Sequence, residues 1–123
     1  MTLEVSYFFT FLDIKNHIQS LNPNLKFILE NVKMKKETLD AISDLMGVQP
    51  VFINSSLLSA QNRQRFYWCS SEVSQPEDRG IRLPSILESG VVDRDKSFCI
   101  DANSFKCGNL KSYFEKHRRQ IVM

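Results

Sequence analysis

An acidic residue and two arginines stand where apolar runs of this sequence end. Glu30 closes the run that starts at Phe27, and Arg63 and Arg65 follow a second apolar run about thirty residues later. A carboxyl group that is partly shielded from water holds a proton more readily and suits a general acid. A guanidinium presents a rigid fork of donors to carbonyl oxygens, carboxylates or phosphates. Because ligands bind where the strands of open sheets end, we expect these groups to meet at one sheet edge.

Each group also has a purely structural explanation. Glu30 is equally suited to capping the helix that follows or to pairing with Lys33. Arg63 and Arg65 are two positions apart, so they share a face on an extended segment and diverge on a helix. Solvated arginines are common on turns. The residue types alone therefore leave a catalytic and a structural explanation open.

The spacing of apolar residues predicts the elements that position these groups. We expect helices at 8–21 and 35–46, strands at 26–32, 49–54 and 65–69, and a helical turn at 57–64. The continuous apolar centre of 26–32 is typical of a strand buried on both faces in a parallel sheet. The connection before 65–69 is too short for a parallel crossover, so that strand should run antiparallel to its predecessor. The prediction is an α/β fold with a βαβ unit and an antiparallel last strand.

The pattern weakens beyond Ser70. Residues 71–80 are polar and predict a linker, and the region 81–123 contains a predicted helical turn at 83–87 and a short strand at 98–100. Residues 110–123 form a basic amphipathic segment, whose arginines either contact phosphates or lie on a solvated helix face. The arginines in question are Arg118 and Arg119. We therefore divide the chain into 1–70, a linker at 71–80, and 81–123.

Composition limits the class of protein. With 123 residues, 42% of them hydrophobic and 24% charged, the chain is one small globular domain or part of a larger one. A net charge of +2 is too small to indicate nucleic acid by itself. The cysteines are odd in number and lack CxxC spacing, which argues against a disulfide framework or a closed zinc site. They are Cys69, Cys99 and Cys107, and the spacing of neither histidine suggests an activating partner for them.

Two further expectations concern the environment of the chain and its aromatic run. The N-terminal sequence has no basic leader, and its apolar run is too short to span a membrane, so we expect no signal peptide and no membrane segment. The cysteine pattern predicts an intracellular, reducing environment and no metal. The run Phe66-Tyr67-Trp68 is better suited to core packing than to a platform for stacking bases.

Two motifs together resemble a known family. Phe27-Ile28-Leu29-Glu30-Asn31-Val32 and Ser59-Ala60-Gln61-Asn62-Arg63-Gln64-Arg65-Phe66-Tyr67-Trp68 resemble the Glu-Asn-Val and Gln-x-Arg-x-Arg blocks of the DNA (cytosine-5)-methyltransferases. Their order, their spacing and the aromatic strand agree with that family. The resemblance covers 8–70 well and 80–122 more loosely, where the family begins its target-recognition region. It implies part of a Rossmann-like methyltransferase sheet, followed by the irregular start of the target-recognition region.

The resemblance also implies roles for individual residues. Glu30 matches the acid that contacts ring nitrogen three of a flipped-out cytosine and stabilises the covalent adduct with a cysteine thiolate. Arg63 matches the arginine linked with the carbonyl oxygen of the base, while Gln61 and Arg65 would organise the loop and the neighbouring backbone. Asn31 would help to hold the loop of the nucleophile. The implied methyl donor is S-adenosylmethionine, and the implied substrate is double-stranded DNA in the cytoplasm of a bacterial or phage-infected cell.

The sequence departs from the family in ways that limit this interpretation. The family's Pro-Cys nucleophile block and glycine-rich donor loop precede Glu-Asn-Val, yet neither occurs before Glu30, and the first cysteine is Cys69. The segment that closes the donor pocket is also missing after Met123. We therefore expect the second half of a catalytic domain that cannot methylate DNA alone and relies on another polypeptide segment.

Two other classes of protein remain open. One is a methyltransferase-like DNA-binding or regulatory module without chemistry, and the other is an unrelated α/β interaction domain in which Glu30 pairs with Arg63. A parallel sheet that lacks its first strands leaves an unpaired apolar edge, so we also expect the chain to associate or to be marginally stable.

Overall fold

A computed structural model describes residues 3–100, 111, 114–115 and 120–123. It shows a mixed α/β fold with two α-helices and a small three-stranded antiparallel sheet in the order β1-β3-β2. The elements are α1 (Leu3–Leu21), β1 (Ile28–Val32), α2 (Lys36–Met46), β2 (Val51–Asn54) and β3 (Gln64–Cys69), with short 3-10 helices at Ser55–Leu57 and Leu83–Ile86. The prediction that the last strand runs antiparallel is confirmed.

The chain divides into two compact units. The first comprises Met1–Phe52 and Phe66–Ser74, and the second comprises Ile53–Arg65 and Gln75–Met123. The boundary therefore passes through β2 and β3. The division into 1–70, 71–80 and 81–123 stays a prediction.

The core of the first unit forms around Trp68. This side chain is fully buried, with 0% of its surface exposed, and its Nε1 donates a hydrogen bond to Ser43 Oγ at 3.0 Å. Phe66 lies beside it, with ring centroids 6.3 Å apart. The prediction that the aromatic run packs in the core is confirmed for these two rings. The other buried side chains of this cluster come from both helices and are Phe8, Leu12, Ile42 and Met46.

The buried face of α1 differs from the predicted apolar stripe. The helix begins at Leu3, before the predicted start, and it buries Phe8, Leu12 and Lys15. Ile14 and Ile18, two of the apolar residues whose spacing predicted a helix at 8–21, are 56% and 41% exposed. Packing against the strands, and not apolar spacing alone, therefore decides which side of α1 is buried.

A lysine takes the place of an apolar residue on that buried face. Lys15 is 8% exposed, and its Nζ lies 5.0 Å from the centroid of the Phe27 ring. The ammonium also donates a hydrogen bond to Gln19 Oε1 at 3.2 Å. The aliphatic stem of Lys15 packs while its charged end keeps polar partners, as long cationic side chains commonly do.

The prediction that β1 is buried on both faces in a parallel sheet is wrong, because the described strands form an antiparallel sheet in which one face of β1 is exposed. Ile28 and Val32 are 60% and 50% exposed, and Glu30 between them is also exposed. Leu29, on the opposite face, packs against the core. Because the side chains of a strand alternate between faces and both helices contribute to the core on the Leu29 side, the other face of β1 remains in contact with solvent.

The end of α2 matches its sequence signal. Gly47 has φ 69°, and its backbone N–H donates to Ser43 O at 2.9 Å. A left-handed glycine that follows the last helical residue is a common way to end a helix. The predicted strand at 65–69 is also found, starting at Gln64.

The second unit contains less regular structure than the sequence predicted. In place of a helical turn at 57–64, a 3-10 helix begins at Ser55, because Asn54 Oδ1 accepts the N–H of Ser56 at 3.1 Å and starts the turn earlier. No strand forms at 98–100; instead an isolated parallel bridge joins Gln61 and Ser97.

Among the described residues, no helix is long and apolar enough to cross a membrane. Arg118 and Arg119, predicted as phosphate contacts or as part of a solvated helix face, lie outside the described residues, and so does Cys107.

Candidate functional site

Strand β1 places Glu30 on its exposed face, in line with Ile28 and Val32. The N-cap residue of α2 is Lys35, whose own side chain makes no cap hydrogen bond. The described residues of the first unit leave Glu30 exposed. They do not provide the shielding from water that the general-acid argument expected.

Asn31 lies on the other face of β1 and is half-buried. Its Oδ1 accepts the backbone N–H of Val32 at 2.8 Å. It also lines a cavity of about 230 Å³ together with Phe8, Phe9 and Met34. Since this lining is mainly apolar, the amide of Asn31 is one of the few polar groups at the cavity wall.

The second unit holds the other predicted residues in a turn, residues 54–65, that we call the arginine turn. Asn54 Oδ1 accepts the backbone N–H of Arg63 at 3.0 Å, in addition to that of Ser56. Ser55 donates its backbone N–H to Arg63 O at 3.1 Å and its hydroxyl to Gln61 O at 3.2 Å. Both backbone polar groups of Arg63 are therefore fixed by neighbours within the same turn.

Exposure alternates along the end of the arginine turn. Gln61, Arg63 and Arg65 are half-buried, whereas Asn62 and Gln64 are exposed. This alternation is typical of an extended backbone, on which residues two positions apart share a side.

The two guanidinium groups have different neighbours. Arg63 NH1 lies 3.6 Å from Cys99 Sγ, to which it donates a weak hydrogen bond. Arg65 NH1 donates to the carbonyl oxygen of Gln64 at 2.8 Å. The Arg63 side chain thus contacts a residue 36 positions away in the sequence. The Arg65 side chain, in the contact described here, bonds to the adjacent residue.

A second segment of the chain closes over the arginine turn. Lys96 Nζ donates to the carbonyl oxygens of Ser56, Ser59 and Ile81 at 2.5, 2.9 and 2.5 Å. Next to it, Ser97 donates its N–H to Ala60 O at 2.7 Å and accepts the N–H of Asn62 at 3.0 Å. We call Lys96 and Ser97 the lysine clasp. It satisfies backbone carbonyls that a short irregular turn leaves without helical or strand partners.

Sequence reasoning missed three residues that shape this site. Asn54 did carry a signal, since an asparagine before Ser-Ser at the end of an apolar run is a common start of a turn. The sequence around Lys96 carried no such signal, because two of the carbonyl groups that Lys96 bonds lie 40 and 37 positions earlier in the chain. Cys99, found beside Arg63, was equally undetectable.

The structure thus brings some predicted residues together. Ser55 donates hydrogen bonds to the carbonyl oxygens of both Gln61 and Arg63, which brings these two residues together. Glu30 and Asn31 belong to the first unit. The meeting of Glu30 with Arg63 stays a prediction. Within the described part of the chain, no group of three or more His, Cys, Asp or Glu side chains is placed to hold a metal ion.

Comparisons with known proteins assign no family. A scan against models of protein families gives no match, and no curated protein matches the chain significantly.

Proposed function

We propose that this chain forms part of a DNA (cytosine-5)-methyltransferase and supplies groups that hold a flipped-out cytosine. The observation that carries the proposal is the fixed backbone of Arg63, whose N–H and C=O are both bonded within the arginine turn. A side chain that must reach one atom of one base needs such a rigid support. The order of the Glu-Asn-Val and Gln-x-Arg-x-Arg blocks supports the same proposal.

In this proposal Arg63 donates to the carbonyl oxygen of the cytosine, and Glu30 holds a proton at ring nitrogen three. Gln61 and Arg65 keep the turn and its neighbouring backbone in place, and Asn31 contacts the loop of the nucleophile. A Rossmann-like sheet belongs to the proposal as well. The three strands in the order β1-β3-β2 would then be one side of that larger sheet.

The methyl donor of this family, S-adenosylmethionine, does not fit the described residues. A donor site of this type needs a glycine-rich loop, where the backbone approaches the ligand closely. The glycines of this chain are scattered, and Gly47 and Gly80 have no atom within 4 Å of an added Cβ. We therefore assign no step of methyl transfer to these residues. Another polypeptide segment, with the Pro-Cys and glycine-rich blocks, would supply the nucleophile and the donor site.

A second candidate function is a DNA-binding or regulatory module that shares the family's blocks without its chemistry. It is favoured by the exposure of Glu30, because a general acid is better served by shielding from water. Both candidates bind DNA. They differ in whether methyl transfer appears when the chain is mixed with a cytosine-5-methyltransferase from which the corresponding half of the catalytic domain has been deleted.

The base contact can be tested with two DNA duplexes that differ at one cytosine, which is either paired or mispaired. A mispaired base leaves the helix at lower cost, so a protein that holds an extruded cytosine binds the mispaired duplex more tightly. We expect Arg63→Ala to reduce that preference about tenfold, the typical value of one good base contact. Fluorescence anisotropy at low ionic strength measures both affinities.

Arg79→Ala is the matched control, because Arg79 is exposed in the same unit and its removal changes the net charge equally. It should weaken binding to both duplexes alike or not at all. Equal affinity of the wild-type chain for both duplexes would contradict the base contact. Absence of any DNA binding at low ionic strength would remove both candidate functions.

A further inference from the structure

A polar cavity lies within the first unit, beside the residues that precede β1. Its volume is about 350 Å³, and its wall includes two lysines together with three uncharged polar side chains, which are Lys15, Lys26, Gln19, Asn24 and Ser70. None of the described residues that line it is an aspartate or a glutamate. The wall therefore carries positive charge without a matching negative charge, and we call this space the Lys15 cavity.

Lys15 is the unusual member of the wall. Only 8% of its surface is exposed, and a buried ammonium is costly unless a partner compensates for the lost water. Its partners are the Gln19 Oε1 atom at 3.2 Å and the ring of Phe27 at 5.0 Å, and both are uncharged. The ion pairs found among the described residues do not include Lys15. Since an ammonium has three N–H donors and Gln19 takes one, two remain for a group in the cavity.

The neighbouring groups add further donors. Because Gln19 turns its oxygen toward Lys15, its amide nitrogen is left to donate to another group. Lys26 contributes a second ammonium from an exposed position of the wall. The hydroxyl of Ser70 accepts the backbone N–H of Phe27 at 3.0 Å, so it shapes the wall between the end of β3 and the start of β1. The cavity thus offers mainly hydrogen-bond donors, two of them charged.

The nearby helix ends do not account for Lys15. Cations often bind the carbonyl oxygens that a helix leaves free at its end. At the end of α1, however, Asn22 donates its N–H to Ile18 O at 2.8 Å. At the end of α2, Gly47 donates its N–H to Ser43 O at 2.9 Å. The hydrogen bond of Lys15 goes to a side chain and not to either helix end.

We propose that the Lys15 cavity binds a phosphate group, either as inorganic phosphate or as part of a small phosphate monoester. Two ammonium groups balance the two negative charges of a phosphate dianion, and its oxygens accept several hydrogen bonds at once. A carboxylate has one charge and two oxygens, so it would use this set of donors less fully. The volume of the cavity lies in the range of small-molecule sites, which begins at about 300 Å³, and leaves room for a substituent on the phosphate.

The Lys15 cavity is separate from the residues of the proposed function. It borders the start of β1, whereas Glu30 and Asn31 lie near the other end of that strand, and neither residue lines the cavity. Phosphate binding here is therefore independent of the proposed methyltransferase function, and the failure of one would leave the other intact.

Binding can be located by titrating the wild-type chain with inorganic phosphate and, separately, with glycerol phosphate, at constant ionic strength. In two-dimensional NMR spectra the amide signals of Lys26, Gly47 and Ser70 should shift and saturate, because these residues line the cavity. Those of Glu37 and Asp40, near the start of α2, should not move. Tighter binding of glycerol phosphate would identify the ligand as a monoester, and tighter binding of inorganic phosphate would identify the free anion. Acetate should bind about tenfold more weakly than either.

Substitution of the two lysines tests the donors. Lys15→Met keeps the apolar stem and removes the ammonium, so it should weaken phosphate binding about tenfold to a hundredfold, the usual effect of a hydrogen bond to a charged group. Lys26→Met should have a smaller effect of about twofold to fivefold, as expected for an exposed charge. Lys33→Met is the matched control, because Lys33 is exposed in the same unit and does not line the cavity. It should bind phosphate like the wild type.

Thermal unfolding distinguishes a binding role of Lys15 from a purely structural one. Without phosphate, Lys15→Met should melt at the same temperature as the wild type or higher, because it removes a buried charge. Added phosphate should raise the melting temperature of the wild type and leave that of the variant unchanged. A structural lysine would give the opposite result, a less stable variant and no effect of phosphate on either chain.

Several results would overturn the proposal. One is a wild-type chain that binds neither phosphate nor glycerol phosphate at about 10 mM. Others are amide shifts that lie away from the cavity, acetate binding as tight as phosphate binding, or a folded Lys15→Met variant that binds like the wild type. If Lys15→Met does not fold, the location of the shifts in the wild type and the response of Lys26→Met decide the question.

Discussion

The two units of this molecule are stabilised in different ways. In the first, apolar side chains from both helices surround Trp68, which is 0% exposed. In the described part of the second, the buried hydrophobic residues are Ala60 and Leu83. There, side chains bonded to the backbone hold the structure, above all Asn54 and Lys96.

This difference indicates how the surroundings of Glu30 and of Arg63 should respond to substitutions. Apolar packing is shared among many contacts, so its loss affects a whole unit. A polar side chain that holds a turn acts on a few backbone groups, so its loss affects mainly that turn. Glu30 depends on the first kind of support and Arg63 on the second.

The largest expected effect is the loss of the core aromatic ring. Trp68→Ala should lower the free energy of unfolding by about 3–5 kcal/mol, because it removes the most buried ring and leaves a cavity. Chemical denaturation followed by far-ultraviolet circular dichroism measures the change. Trp68→Phe, which keeps an aromatic ring and loses the bond to Ser43, should cost clearly less. A loss below about 1 kcal/mol for the alanine variant would show that the unit does not depend on this core.

The lysine clasp should have a smaller and more local effect. Lys96→Met keeps the aliphatic stem but leaves the carbonyl oxygens of Ser56, Ser59 and Ile81 without their donor. We expect a loss of about 2–3 kcal/mol, the usual cost of unsatisfied groups that had a charged partner. Faster amide exchange at Asn62 and Ser97, with unchanged exchange in the first unit, would show that the loss of stability arises at the arginine turn and the lysine clasp.

The control for the clasp is Lys36→Met. The Lys36 side chain is 83% exposed and pairs with Asp40 on the surface of α2, so its loss should change stability little. Equal effects of the two lysine substitutions would contradict the role of the clasp.

The smallest of the three effects concerns the start of the arginine turn. Asn54→Ala removes the acceptor of two backbone N–H groups, those of Ser56 and Arg63, and should cost about 1–2 kcal/mol. Asn54→Asp retains an acceptor oxygen and should recover most of the loss. Amide exchange at Ser56 and Arg63 reports directly on both bonds. If the two variants behave alike, the side-chain oxygen is not what holds the turn.

The sequence predicted best what local rules determine. Helix α2 was found within one residue of its start, and Gly47 ends it as expected. Strand β3 and its antiparallel direction were also predicted, because a short connection leaves no other arrangement. These features depend on residues that lie close together along the chain.

The errors concern features that depend on distant partners. The apolar run of β1 is compatible with burial on one face or on both, and the neighbouring elements decide between them. Lys15 is buried on α1 while Ile14 is exposed, and the ammonium of Lys15 lies over the ring of Phe27, which follows the helix along the chain. For the candidate site, the residues of the arginine turn were identified, whereas the clasp that holds them was not.

The division of the molecule into units also has a consequence for chain connectivity. The chain leaves the first unit after Phe52, returns at Phe66 and leaves again after Ser74, so neither unit is one continuous segment. Lys96 is therefore joined to Ser56 and Ser59 only by way of the first unit and the exposed residues 77–80. Cleavage after Arg79 would make the bonds of Lys96 to Ser56 and Ser59 intermolecular and remove the high effective concentration that a continuous chain provides, whereas the bond to Ile81 would stay within one fragment. The contact of the Arg63 side chain with Cys99 thus depends on the integrity of a peptide segment that contains no residue of the candidate site.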